Sequence, residues 1–166
     1  HHYDDLQRVG LAPVKTVDND YEMYFPEINS RIIFRTATAS GGRAYTFHRL
    51  HLTELAFWAN ASVVMTGILP TVPPGGEVDI DSTSNGPEGP FYEIVRQAEL
   101  EHGGWKLLFY PWWWEPKYVA DPAVFLEGQE PLTKREQVLQ SEHGLTAAQL
   151  AFRRSVRQTW PPLGPD

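Results

Sequence analysis

Two stretches of the sequence place polar side chains at the end of a run of β-forming residues. Thr53 and Glu54 end the first run, at residues 46–54, and Ser82-Thr83-Ser84-Asn85-Gly86 ends the second, which begins at Glu77. In open parallel sheets the reactive groups lie at the carboxyl ends of strands. A Glu at such an end can orient and polarise an attacking water, as in many nucleotide hydrolases. It can equally be a residue that begins a helix near its positive end.

Acidic and histidine side chains offer a second kind of chemistry. Glu77, Asp79 and Asp81 alternate along one face of a predicted strand, which suits a metal-dependent nuclease, although a solvated strand edge has the same pattern. His48 and His51 lie three residues apart, so a strand would point them to opposite faces. This spacing favours packing of the two rings over a shared metal ion.

Aromatic and basic clusters in the last third of the chain suggest binding functions. Trp112, Trp113 and Trp114 are consecutive and would either stack on bases or sugars or pack over the end of a sheet; packing is the preferred interpretation. A nucleic-acid- or glycan-binding module is therefore an alternative function. Arg153 and Arg154 would contact phosphate, contact a neighbouring subunit or face water, and facing water is preferred.

The elements that must position these residues alternate between strand and helix. Strands are predicted at 22–25, 31–38, 46–53, 77–83 and 105–110, and helices at 55–69 and from Pro90 to Gly103. The order strand, helix, strand, helix, strand between residues 46 and 110 predicts an α/β fold with a parallel sheet and right-handed crossovers.

Two further helices are predicted near the end of the chain. Thr133 with Glu136 and Thr146 with Gln149 each match a capping box, and Gly144 stands where the first of the two helices would end. We therefore expect one domain, with a lead-in at 1–20, an α/β core at 21–130, a helical hairpin at 131–160 and a tail at 161–166.

The composition is that of an ordinary globular chain. The 166 residues are 42% hydrophobic and 21% charged, and no apolar run approaches the roughly 20 residues that a membrane span needs. The lack of cysteine excludes disulfides, thiolate metal sites and cysteine nucleophiles. A formal net charge of −7 predicts weak binding of DNA by this chain alone.

Four blocks of the sequence resemble, in order, parts of a known family. Residues 42–58, Gly-Arg-Ala-Tyr-Thr-Phe-His-Arg-Leu-His-Leu-Thr-Glu-Leu-Ala-Phe-Trp, are similar to the Walker B region of the large terminase subunit of bacteriophages. The run 81–86, Asp-Ser-Thr-Ser-Asn-Gly, with Gly-Pro-Phe-Tyr at 89–92, resembles the coupling motif of that family. Residues 109–112 and 132–154 resemble its next stretch, towards the nuclease domain.

The resemblance implies a role for each matched residue. Glu54 would be the catalytic carboxylate, with Thr53 beside it on the metal side of the Walker B strand. Ser82, Thr83 and Asn85, with Ser84 and Gly86 in the same motif, would sense the γ-phosphate and couple hydrolysis to movement. Candidate contacts to phosphate or to a neighbouring subunit would be Arg43, Arg153 and Arg154.

The resemblance also implies a larger assembly. The parent protein would be a P-loop NTPase-type ATPase that uses ATP and Mg²⁺ to drive double-stranded DNA into a procapsid. Its partners would be the DNA, the portal protein and the small terminase subunit, and it would form a ring of identical subunits in the cytoplasm of the bacterial host, without a membrane.

The chain departs from the family pattern in two places. Thr53 stands where the family usually has Asp, so Mg²⁺ would be held by the hydroxyl or through water. None of the four lysines follows a glycine, so the Walker A loop G-x-x-x-x-G-K-[ST] is missing and would lie upstream. We therefore expect these 166 residues alone to bind nucleotide weakly and to lack ATPase activity.

Overall fold

The computed structural model describes residues 2–38, 44–126 and 130–159. The chain divides into two compact units, His1–Leu107 and Leu108–Asp166. The predicted tail at 161–166 and the candidate contact Arg43 lie outside the described residues. Of the helices that the structure describes, none is long and apolar enough to cross a membrane.

The first unit begins with a short helix and a small antiparallel sheet. Helix α1 (His2–Arg8) precedes strands β1 (Val17–Asp18), β2 (Glu22–Phe25) and β3 (Ser30–Ile33), which pair in that order. The strand predicted at 22–25 is confirmed. The strand predicted at 31–38 ends at Ile33, because its partner β2 begins at Glu22, the residue opposite Ile33.

A parallel strand pair forms the centre of this unit. Strands β4 (Arg49–Thr53) and β5 (Glu77–Asp81) pair in register, with Thr53 opposite Asp81. Exposed and covered residues alternate along both strands, as expected when one face of a sheet is packed and the other is solvated. Leu50 and Leu52 are buried on the packed face.

Two helices cover that packed face. Helices α2 (Ala61–Ile68) and α3 (Gly89–Glu99) contribute side chains to the cluster that contains Leu50 and Leu52. The helix predicted at 55–69 is interrupted: a 3₁₀ turn, Leu55–Phe57, is followed by Trp58 in an extended conformation before α2 begins. The helix predicted from Pro90 to Gly103 has Pro90 in its first turn but ends at Glu99.

The strand predicted at 105–110 is wrong. These residues pair with no strand among the described residues, and the side chains of Leu107, Leu108, Phe109 and Tyr110 are 39–73% exposed. An apolar run of this kind forms a strand only where a neighbour supplies hydrogen bonds and both faces are covered. The structure is mixed α/β, and its described parallel sheet has two strands instead of the three predicted.

The second unit is helical. It contains a 3₁₀ turn at Trp112–Trp114, one helical turn, α4 (Pro122–Phe125), and helices α5 (Lys134–His143) and α6 (Ala147–Thr159). Both predicted capping boxes are present, at Thr133 and at Thr146. Gly144 ends α5 in the left-handed conformation, and Leu139, Leu145 and Leu150 form the core.

Candidate active site at the ends of two parallel strands

The register of β4 and β5 brings the two predicted strand-end segments together. Because Thr53 is the partner of Asp81, Glu54 and Ser82 are the first residues beyond the pair at the same edge of the sheet. Thr53 and Glu54 are exposed, as are Thr83, Ser84 and Asn85 of the following turn, whereas Ser82 is half-buried. The carboxyl ends of the strands therefore present a carboxylate and several hydroxyls to solvent.

Glu54 has a backbone conformation that is uncommon for a residue with a side chain. Its φ of 57° and ψ of 37° lie in the left-handed region, directly between β4 and the 3₁₀ turn Leu55–Phe57. Such conformations persist where the surroundings determine them, and they are frequent at functional sites. Here the next residue, Leu55, is 1% exposed and belongs to the core of the unit.

The turn after β5 is hydrogen-bonded to the segment after Glu54. Ser82 Oγ accepts a hydrogen bond from the amide of Ala56 at 3.1 Å and donates one to the carbonyl of Thr83 at 2.9 Å. Asn85 Nδ2 donates to the carbonyl of Ala56 at 3.0 Å. Both backbone groups of Ala56 are thus bound by side chains of the turn.

Trp58 binds the backbone directly before Glu54. Its indole Nε1 donates to the carbonyl of Thr53 at 2.9 Å, and its ring packs against the core. Nothing in the spacing of the sequence points to this bond, because it depends on the break between the 3₁₀ turn and α2. Ala56 and Trp58 are therefore functional candidates that the sequence did not identify.

The solvated face of the strand pair carries ion pairs. Arg49 Nε lies 2.8 Å from Asp79 Oδ2, and Arg49 Nη1 lies 3.6 Å from Glu77 Oε2. The hydrogen bond from Asp79 raises the pKa of Arg49 above its usual value. His51 Nε2 contacts Asp81 Oδ1. The two aspartates of the nuclease alternative are thus paired with basic side chains.

The described residues offer no complete metal site. Within residues 2–38, 44–126 and 130–159, no group of three or more His, Cys, Asp or Glu side chains could hold a metal ion. His48 and His51 are both exposed, so the preferred interpretation that the two rings are packed is wrong. His51 instead faces the acidic residues of β5, because its strand position places it on the solvated face.

The two candidate arginines of the second unit bind a buried carboxylate. Arg154 Nη2 lies 2.8 Å from Glu136 Oε2, and Arg153 Nη1 lies 3.3 Å from Glu136 Oε1. The two arginine side chains are 13% and 14% exposed, so the preferred interpretation that they face water is wrong. Both arginines lie on α6 and extend to Glu136 on α5, which explains their burial.

The tryptophans divide into two groups. Trp112 and Trp113 pack against the core of the second unit, and Trp113 also stacks on His143. Trp114 is 65% exposed and makes an edge contact with the exposed ring of Tyr110. Packing is therefore confirmed for the first two rings. Of the three, only Trp114 exposes most of its surface, where a ligand could reach it.

The family resemblance of these segments has no support from comparison with known proteins. No protein-family profile matches the chain, and no curated protein matches its sequence.

Proposed function

We propose that the first unit supplies the water-activating carboxylate of an ATP-driven motor that moves double-stranded DNA into a phage procapsid, as the large terminase subunit does. One observation carries this proposal. Glu54 lies exposed at the carboxyl end of a parallel strand, and the turn 82–86 binds the backbone two residues later. A Walker B segment and a coupling motif would have to lie next to each other in this way.

The architecture is compatible with this function. A P-loop NTPase-type sheet contains parallel strand pairs covered by helices, as found here. We propose that this strand pair is part of such a sheet. The missing Walker A loop would lie outside these 166 residues, as would the contacts to the portal protein, the small terminase subunit and the other subunits of the ring. The setting would be the cytoplasm of the bacterial host.

The chemistry assigned to Glu54 needs a carboxylate at a strand end. Glu54 would accept a hydrogen bond from the attacking water and orient it towards the γ-phosphate. Thr83 and Ser84, whose side chains are exposed at the same edge, would be the hydroxyls nearest to a phosphate. Mg²⁺, which neutralises phosphate charge when bound, would depend on the Thr53 hydroxyl, water and the nucleotide, because the described residues include no complete cation site.

Replacement of Glu54 by Gln in the complete protein tests the proposal. Gln keeps the shape but cannot accept a proton, so ATP hydrolysis and DNA translocation should fall about 100- to 10,000-fold while ATP binding is nearly unchanged. Phosphate release and DNA packaging would be followed in the same preparation. Glu101→Gln is a matched control, because Glu101 is also a left-handed glutamate but follows α3. Near-normal hydrolysis in Glu54→Gln would remove Glu54 from the catalytic role.

A further inference from the structure

Three side chains hold the backbone on both sides of Glu54. Trp58 Nε1 binds the carbonyl of Thr53, while Ser82 Oγ and Asn85 Nδ2 bind the amide and the carbonyl of Ala56. The bound groups lie one residue before and two residues after Glu54. We call this set of three hydrogen bonds the Ala56 clamp.

The backbone of Glu54 needs such support. A left-handed conformation is unfavourable for an L-residue with a side chain, and the exposed side chain of Glu54 contributes no burial to offset it. The buried side chain of Leu55 anchors the segment on one side only. The clamp fixes the Thr53–Glu54 peptide, which directly precedes the Glu54 side chain, and the two peptides on either side of Ala56.

We propose that Trp58, Ser82 and Asn85 are positioning residues that aim the carboxylate of Glu54 through the backbone. This rests on the proposed hydrolytic role of Glu54. The Ser82 hydroxyl both accepts from Ala56 and donates to Thr83, so its hydrogen-bonding capacity serves the protein itself. Asn85 likewise donates from Nδ2 to the carbonyl of Ala56, so the role that we assign to both residues is positioning rather than contact with the nucleotide. They act on the position of Glu54.

The hydrogen bonds of the clamp can be tested on the 166-residue chain itself. Ser82→Ala should raise the exchange rate of the Ala56 amide about tenfold, because one modest hydrogen bond is lost. The amide of Val64 in α2 donates to the carbonyl of Asn60. Its exchange rate serves as the internal reference and should not change. Ser82→Thr keeps the hydroxyl and should preserve the protection. An Ala56 amide that exchanges equally fast in wild type and Ser82→Ala would overturn the clamp.

A double-mutant cycle in the complete protein tests the positioning role. Ser82→Ala, Asn85→Asp and Trp58→Phe each remove one hydrogen bond and preserve most of the side-chain shape. Each should lower kcat about 10- to 100-fold and leave the KM for ATP nearly unchanged, because misaligned groups slow the chemical step. In the Glu54→Gln background the same changes should alter single-turnover hydrolysis by less than about twofold, because residues that act through one another are not additive.

The cycle separates this proposal from the proposed function. If Glu54→Gln hydrolyses ATP normally, both proposals fail. If Glu54→Gln slows hydrolysis as expected but the three clamp variants match wild type, or lose the same factor in both backgrounds, only the positioning proposal fails. Asn60→Asp is the control for Asn85→Asp, because it makes the same change of charge at an exposed Asn whose side chain makes no capping bond to α2. This control should retain wild-type kcat.

Discussion

At the scale of single residues, Glu136 is the charged side chain that the described structure buries most completely, at 1% exposure. It accepts hydrogen bonds from Arg154 and from the backbone amide of Thr133, and it lies beside Arg153. The hydrogen bond from Arg154 is the largest of the effects that lower its pKa to about 2, although burial opposes the shift. The carboxylate therefore stabilises the second unit only while it is ionised.

This burial predicts a defined loss of stability in acid. Because the pKa of Glu136 is lower in the folded chain, its contribution is complete above about pH 4.5 and disappears as the pH falls towards about 2. Glu136→Gln should lose about 3 kcal/mol at pH 7, since two partly buried arginines lose their carboxylate partner, and should show less of the acid dependence. Urea unfolding at pH 2–7 measures both. Glu142→Gln, an exposed change in the same helix, is the control, and parallel pH curves for wild type and Glu136→Gln would contradict the prediction.

The three consecutive tryptophans should differ sharply in their effect on stability. Trp112 packs on Trp113 and Phe152 within the second unit, so Trp112→Ala should lower the free energy of unfolding by about 3 kcal/mol. Trp114 is mostly exposed, and its replacement by Ala should change that free energy by less than about 0.5 kcal/mol. Chemical denaturation compares the two. A similar loss in both variants would mean that Trp114 is also packed.

At the scale of elements, the junction between α5 and α6 depends on one glycine. Gly144 has a φ of 68°, and a Cβ at this position would meet no atom within 4 Å. Gly144→Ala should therefore cost about 1 kcal/mol from the backbone alone. Gly144→Asn should cost less, because Asn tolerates the left-handed conformation. The midpoints of urea unfolding test the order Gly, Asn, Ala, and an Ala variant as stable as wild type would contradict it.

At the scale of the whole molecule, net charge limits what the chain does by itself. With a formal charge of −7, and with Arg49, Arg153 and Arg154 already in ion pairs with acidic residues, binding to duplex DNA should be weak. It should disappear at about 150 mM salt, because the remaining attraction to phosphates is screened and little counterion release favours binding. Fluorescence anisotropy of a short labelled duplex at low and physiological salt is the measurement. Submicromolar affinity at physiological salt would contradict the prediction.

The sequence by itself determined the parts of this protein that depend on neighbouring residues. Both capping boxes and the end of α5 at Gly144 follow from side chains within four positions of each other. The alternation along Arg49–Thr53 and Glu77–Asp81 likewise follows from the period of a half-buried strand. The end of the first strand at Thr53 could therefore be predicted, the end of the second only to within two residues, since β5 ends at Asp81 instead of residue 83. The mixed α/β class could also be predicted.

Only the tertiary structure decided the features that join residues distant in the sequence. The apolar run at 105–110 has the composition of a strand, but composition does not supply a neighbour to pair with. Ser82 and Asn85 bind Ala56 across 26 and 29 positions, and Glu136 meets Arg154 across 18. These bonds require strands and helices that are distant in the sequence to lie side by side, and they stabilise local conformations, such as the left-handed Glu54, that local propensity disfavours.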